Sequence, residues 1–408
     1  MEEGLRPSEW IGGSDYRMYG APVLLLRLSR VFCTAPVALN RQRFSYIARV
    51  SRRRVFCSRF LLFLTGLVCC GVLLFDIYSA AFTSEKNVRI HSAASIALWA
   101  FKIFFLCLII ILSLKSSERI QRVMFYLTRA QKILINMENK PIPKKLERLL
   151  RIKVSVCVAS MVMVCVMKYV ENLKHVFALR KHWIVHCAYT FTNIHYVFTC
   201  FLELQISFVI TSLLWCFKSL NKRLKKYHSL IEQNGSANGE RSAMAETIRD
   251  FSRMYASLVD LAKEVNDTEG GTMVLLLCYY VFQIIVNLYL LLGIDYNPVL
   301  IWRIIMITTC VYSCVYITFV FIVLIEPCHK THEELKKTQV LVSQVLCCPV
   351  SARDPVSVAL TQIYEDQEIN EPIYVPRGVC ELSRTLFSAV IGIVVTYVVT
   401  SLQFGLRD

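Results

Sequence analysis

Seven near-continuous apolar stretches divide the chain, at 60–80, 93–114, 154–170, 188–216, 272–293, 300–325 and 380–404. Each approaches the ~20 residues that a helix needs to cross a hydrocarbon core. Helices are the expected spans, because an isolated strand leaves its backbone groups unpaired in lipid. Between the spans the pattern changes to narrow stripes. Ile120, Val123, Leu127, Ala130, Leu134 and Met137 recur three or four residues apart. So do Phe217, Leu220, Leu224, Tyr227 and Ile231, and again Ile248, Phe251, Tyr255, Leu258, Ala262 and Val265. Such stripes predict amphipathic helices with one covered face. They also predict that spans four and five continue past the bilayer. Residues 234–240, Asn-Gly-Ser-Ala-Asn-Gly-Glu, separate the last two stripes as a turn would. The covered faces have two possible destinations: the chain's own helices, or a domain that joins subunits.

Charge adds direction. Of the 46 lysines and arginines, 36 lie in segments 1–59, 115–153, 218–271 and 326–379, and six lie in the intervening loops and the last four residues. Basic residues accumulate on the cytosolic side, so the N-terminus is expected inside and the C-terminus outside. The net charge of +16 is therefore a membrane signature and predicts no nucleic-acid partner. The polar start, and the arginines and prolines within 21–39, give no sign of a cleavable signal peptide. The sequons at Asn234 and Asn266 fall in a loop placed inside and are expected to carry no glycan. Glycan at either would overturn this topology. The expected fold is an all-α membrane protein. It comprises a cytosolic segment 1–59, a six-helix bundle 60–325 with inner helices in 115–153 and 218–271, a cytosolic segment 326–379, and a last helix within 380–408.

A metabotropic seven-helix receptor and a transporter are the less favoured alternatives. A G-protein-coupled receptor has its N-terminus outside, and this chain also lacks the Asp-Arg-Tyr and Asn-Pro-x-x-Tyr motifs. A transporter is expected to carry broken, Gly/Pro-interrupted spans in paired halves, but Pro298 lies in a loop. There is no Walker-type loop, His-Glu-x-x-His or Gly-x-Ser-x-Gly, so neither an enzyme nor a cofactor is expected. The 17 cysteines lie mostly in apolar runs or basic loops, which predicts no extracellular disulfide framework. His182 and His186 stand one helical turn apart without a third ligand, so no metal site is assigned.

The last span differs from the others. Ala389, Gly392, Thr396, Thr400 and Gln403 follow helical spacing, and the remaining faces are Val, Ile, Leu and Phe. A small, polar stripe serves either close helix packing or a water-filled path in which hydroxyl and amide groups replace ion hydration. The second use requires several copies around an axis. Thr396-Tyr397, five mostly apolar residues and Gln403-Phe404 resemble the TY-(five hydrophobics)-QF signature of insect gustatory receptors. The stretch LLLRLSRVFCTAPVALN is similar to that family's cytosolic lead-in. Two departures are Glu381 in the turn before the last helix and the polar Thr400 and Ser401 within it.

The resemblance implies a plasma-membrane, ligand-gated cation channel of four subunits, as a homo-tetramer or a hetero-oligomer with related receptors, opened by a small-molecule tastant. An odorant-receptor-like channel is the alternative within the same fold. By position, the resemblance implies that Thr396, Thr400, Gln403 and Phe404 line the pore and its gate, and that Tyr397 braces the pore helix. It implies a ligand pocket in the outer half of the bundle. Candidates there are Asp76, Trp99, Tyr169, His195, Tyr196, Gln283, Asn287, Tyr289 and Trp302, where aromatics stack and polar groups orient. The same residue types also anchor helix ends at the interface. Lys102 and Glu203 are intramembrane charges that need partners: each other, or Asp76 for Lys102.

Overall fold

The computed structural model describes residues 16–32, 34–41, 45–81, 116–138, 143–173, 187, 190, 193–233, 238–292, 300–346, 361 and 382–405. Span 93–114, with Trp99 and Lys102, lies outside the described residues, as do Asn234, His182, His186 and Glu381.

The chain opens with a feature that its hydropathy pattern did not predict. Tyr16–Met18 (β1), Val37–Arg41 (β2) and Tyr46–Val50 (β3) form an antiparallel sheet in the order β1-β3-β2. Ala48 on the central strand faces Tyr16 on one side and Leu39 on the other. Between β1 and β2 runs helix α1, Ala21–Val31. Pro22 sits in its first turn, where its fixed φ costs nothing. Gly20 supplies the positive φ of 67° that turns the strand into the helix. The buried face of α1 carries Val23, Leu25, Leu26 and Ser29. Arg54 donates through Nη1 to the Val37 carbonyl and ties the next helix to the sheet.

The other described elements are helices: α2 (Arg52–Ala81), α3 (Ser116–Glu138), α4 (Lys144–Asn172), α5 (Ile194–Gln233), α6 (Asn238–Leu292), α7 (Leu300–Leu346) and α8 (Arg384–Gly405). Among the described residues, five helices are long and apolar enough to cross a membrane by length and composition: Arg52–Val72, Lys144–Asn172, Tyr196–Leu230, Glu246–Leu288 and Leu300–Gln344. A shorter apolar segment, Arg384–Tyr397, lies in α8. The 55 residues of α6 would run roughly 80 Å at 1.5 Å per residue. That far exceeds a ~30 Å hydrocarbon core, so spans four and five do continue as single helices. Of the segment 234–240 expected to turn, residues 238–240 belong to α6, which begins at Asn238. Likewise α7 runs unbroken past residue 325 to Leu346, through Pro327.

Helix α5 is the axis of the bundle. In its most apolar window 89% is buried, against 28% for α4 and 20% for α2, so those two leave most of their apolar surface uncovered by the chain. The three stripes between the spans are covered by the chain's own helices. Ile120, Val123, Leu127, Ala130, Leu134 and Met137 are all buried, and so are Phe217, Leu220 and Leu224 and every member of the Ile248 stripe. Tyr227 meets Phe251 edge-on at 5.4 Å and joins the extensions of α5 and α6. Asn221 fastens α5 to α7: its Nδ2 donates to the Glu334 carbonyl at 2.8 Å, and its Oδ1 accepts from Thr338 at 2.7 Å. Burial pushes the Tyr126 hydroxyl of α3 well above its ordinary range, so it remains neutral beside Thr268 Oγ1 of α6 at 3.0 Å.

Candidate functional site

Two polar regions lie along α5. The first begins with a proline. Pro327 has no N–H, so it cannot donate to the carbonyl four residues back, that of Val323. A carbonyl stranded inside an apolar bundle needs another donor. Ser207 of α5 supplies it, with Oγ donating to Val323 O at 2.9 Å. Lys153 of α4 donates in turn to Ser207 Oγ at 2.5 Å and to Thr211 Oγ1 at 3.3 Å. Replacing Ser207 by alanine is expected to cost about 1–2 kcal/mol. A Ser207→Ala, Pro327→Ala double variant should recover part of that loss in thermal melts, because the restored N–H can reach Val323.

Glu203 sits one turn before Ser207 and is 1% exposed. Tyr280 of α6 donates to its Oε2 at 2.9 Å, and Lys153 is the cation whose field it feels. The described hydrogen-bond partner of this acid is therefore Tyr280; the sequence offered Lys102, which is not described. Sequence reading missed Lys153 because it falls in a loop by hydropathy and reaches Ser207 only through tertiary packing. Nearby, Arg119 of α3 bonds Glu269 of α6 at 2.7 Å and Gln205 of α5 at 3.1 Å. Its Nη2 also donates to Leu202 O at 3.3 Å.

The second region lies about two turns away, at the N-terminal end of α5. Tyr196 is buried and packs edge-on against Tyr316 at 6.3 Å. Tyr279, Gln283 and Asn287 follow at four-residue intervals on one buried face of α6, and Asn287 Nδ2 donates to Gln283 O at 2.7 Å. The Lys168–Glu171 pair of α4, at 2.9 Å, closes the region beside Tyr196. The structure thus brings Tyr196, Gln283 and Asn287 to the same end of the bundle, and adds Tyr279, Tyr316, Lys168 and Glu171. Tyr169 is 45% exposed, and Trp302 is half-buried in the first turn of α7. For Asp76, His195 and Tyr289 only the backbone position on a helix is described. A repeat of Tyr279, Gln283 and Asn287 one turn apart was a legible signal for the α6 face.

Helix α8 packs on α6 and α7 by one face, centred on Val394, which is 9% exposed. At 3.6 residues per turn, Ala389, Gly392, Thr396, Thr400 and Gln403 fall roughly opposite Val394. All five are exposed, and a side chain added at Gly392 would meet nothing within 4 Å. Thr396 donates its hydroxyl hydrogen to Gly392 O at 2.9 Å, which leaves the oxygen's lone pairs outward. Tyr397 is 37% exposed; for Phe404 only the backbone is described. The N-terminal end of α8 is held by Arg384, which grips Glu326 of α7 through Nη2 at 2.8 Å and Nε at 3.2 Å, one residue before Pro327.

Long apolar helices around a buried polar axis define a multi-pass helical membrane protein. A family model described as 7tm Chemosensory receptor matches residues 24–408. The chain belongs to that family, and its role is that of a chemoreceptor; the family is one of receptors and not of enzymes. No curated protein matches the chain.

Proposed function

We propose that this chain is a subunit of a gustatory-type, ligand-gated, nonselective cation channel of the plasma membrane, with α8 lining the pore. One observation carries the reading. The polar stripe of α8 points away from its own subunit, and a stripe of hydroxyls and an amide facing lipid is costly. Several copies around an axis turn the same stripe into a wet path. A homo-tetramer, or a hetero-oligomer with related receptors, provides it.

In this reading a small extracellular tastant binds at the Tyr196 end of α5, α6 and α7. It opens the channel by as much as it prefers the open arrangement. Helix α7 carries the change past Pro327 to Glu326, and the Arg384 grip passes it to α8. Gln403 and Phe404 form the gate, with Thr396 and Thr400 below it and Tyr397 bracing the helix. The cytosolic extensions of α5, α6 and α7 join subunits through faces other than the covered stripes.

Cysteine accessibility tests the pore assignment. The background is a variant whose own ligand-evoked current is unaffected by a membrane-impermeant, thiol-reactive cation. In it, Thr396→Cys and Thr400→Cys are expected to be blocked by that reagent, and Ile393→Cys and Val395→Cys are not. Block at Ile393→Cys and Val395→Cys without block at the stripe would reverse the orientation of α8 and end the proposal.

A further inference from the structure

A cavity of about 350 Å³ lies between the turn into α1 and helices α3, α4 and α5. It is far from the Tyr196 region: Ser212, which lines it, stands 16 residues further along α5, roughly 24 Å at 1.5 Å per residue. The volume is in the range of small-molecule pockets. Most of the wall is apolar, with Pro22, Ala130, Leu134 and Leu150 among its residues. A dry void with such walls needs no ligand, so the polar atoms decide the matter.

The buried side-chain atoms among them, on Gln131 and Ser212, are acceptors. Gln131 is 7% exposed, and its Nε2 donates to Tyr19 O at 3.3 Å. That bond fixes which way the amide points, and Gln131 Oε1 is left buried without a hydrogen-bond partner. Ser212 gives its hydroxyl hydrogen to Phe208 O at 2.8 Å, so towards the cavity it offers only an acceptor. Glu147 presents a carboxylate at the rim; Arg151 binds its Oε1 at 2.5 Å from outside the lining. The start of α1 contributes few donors, because Pro22 has no N–H and the Val23 N–H is taken by Gly20 O at 3.1 Å. Any side chain at Gly20 would come within 3.1 Å of the Glu147 carboxylate, so glycine keeps this rim clear. Among the described residues, no lysine, arginine or histidine lines the cavity.

We infer that this cavity is a second small-molecule site, for a compact ligand with an apolar body and a hydrogen-bond-donating cationic end, of the primary-amine class. The amine supplies the donors that Gln131 Oε1 and Ser212 lack, its charge faces the Glu147 carboxylate, which also serves Arg151, and the body covers the leucine and alanine walls. Nothing in this inference depends on whether the protein conducts ions. Occupation would fasten the N-terminal sheet and α1 to the bundle.

The test is ligand-observed NMR on the full chain in lipid nanodiscs, with n-hexylamine and n-hexanoate as probes. Subtracting the signal of an Ala130→Phe variant, which fills the cavity, removes partition into the bilayer. The expected result is a saturable difference signal for hexylamine and none for hexanoate. Gln131→Leu is expected to weaken hexylamine about tenfold. Should Ala130→Phe fail to fold, Gln131→Leu serves as the reference. Equal signals from both probes, or hexylamine binding undiminished in the variants, would overturn the site. The absence of any saturable difference would assign the cavity to water alone.

Discussion

Arg119→Met is expected to destabilise the chain by about 3–5 kcal/mol, the cost of stranding one partner of a buried ion pair. Arg119 is 5% exposed and Glu269 2% exposed, and the guanidinium joins three helices in one place. It holds Glu269 of α6 at 2.7 Å and Gln205 of α5 at 3.1 Å from its own position on α3. Without it, Glu269 keeps only Arg122, at 3.9 Å, among the described cations. A loss of that size is a large share of the 5–15 kcal/mol by which domains are ordinarily stable. Surface delivery should fall sharply, and the melting midpoint of purified protein should drop. The double variant Arg119→Met, Glu269→Leu removes both charges together and is expected to recover most of the loss. A single variant that melts with the native protein would show that the pair adds nothing.

Gln403→Ala is expected to change permeation or basal leak with little effect on folding. Gln403 is exposed on α8, on the side opposite Val394, so its removal leaves no buried group unpaired. In a pore the amide takes the place of part of an ion's hydration shell. Its loss beside Phe404 leaves a narrower choice between an apolar plug and a water-filled ring. Whole-cell recording at matched surface expression would show altered selectivity or resting current. Unchanged selectivity, conductance and resting current in Gln403→Ala would remove this residue from the gate.

What was legible in the sequence follows from where each signal is stored. The Ile120, Phe217 and Ile248 stripes are local repeats, and their described side chains are buried, with Tyr227 packed against that core. The polar stripe on α8 was equally legible, because helical spacing alone sets which residues share a face. The N-terminal sheet was not. Its strands are three to five residues long, and Tyr16 pairs with Ala48 across more than thirty positions, a contact that no local pattern records. The network behind Pro327 was hidden for the same reason. Proline announces a missing donor, but only packing reveals that Ser207 supplies it and that Lys153 backs Ser207. The Lys168–Glu171 pair was within reach, since three residues apart on a helix is a neighbouring position.

The central claim is that ligand binding opens an ion path within the protein itself. The most direct measurement is an outside-out patch recording from cells expressing this chain, alone and with a related receptor. A broad panel of small-molecule tastants is applied outside, and no nucleotide is present inside. The account predicts a prompt, reversible cation current that survives excision. A ligand response that vanishes on excision and returns only when GTP is added to the inner face would contradict it.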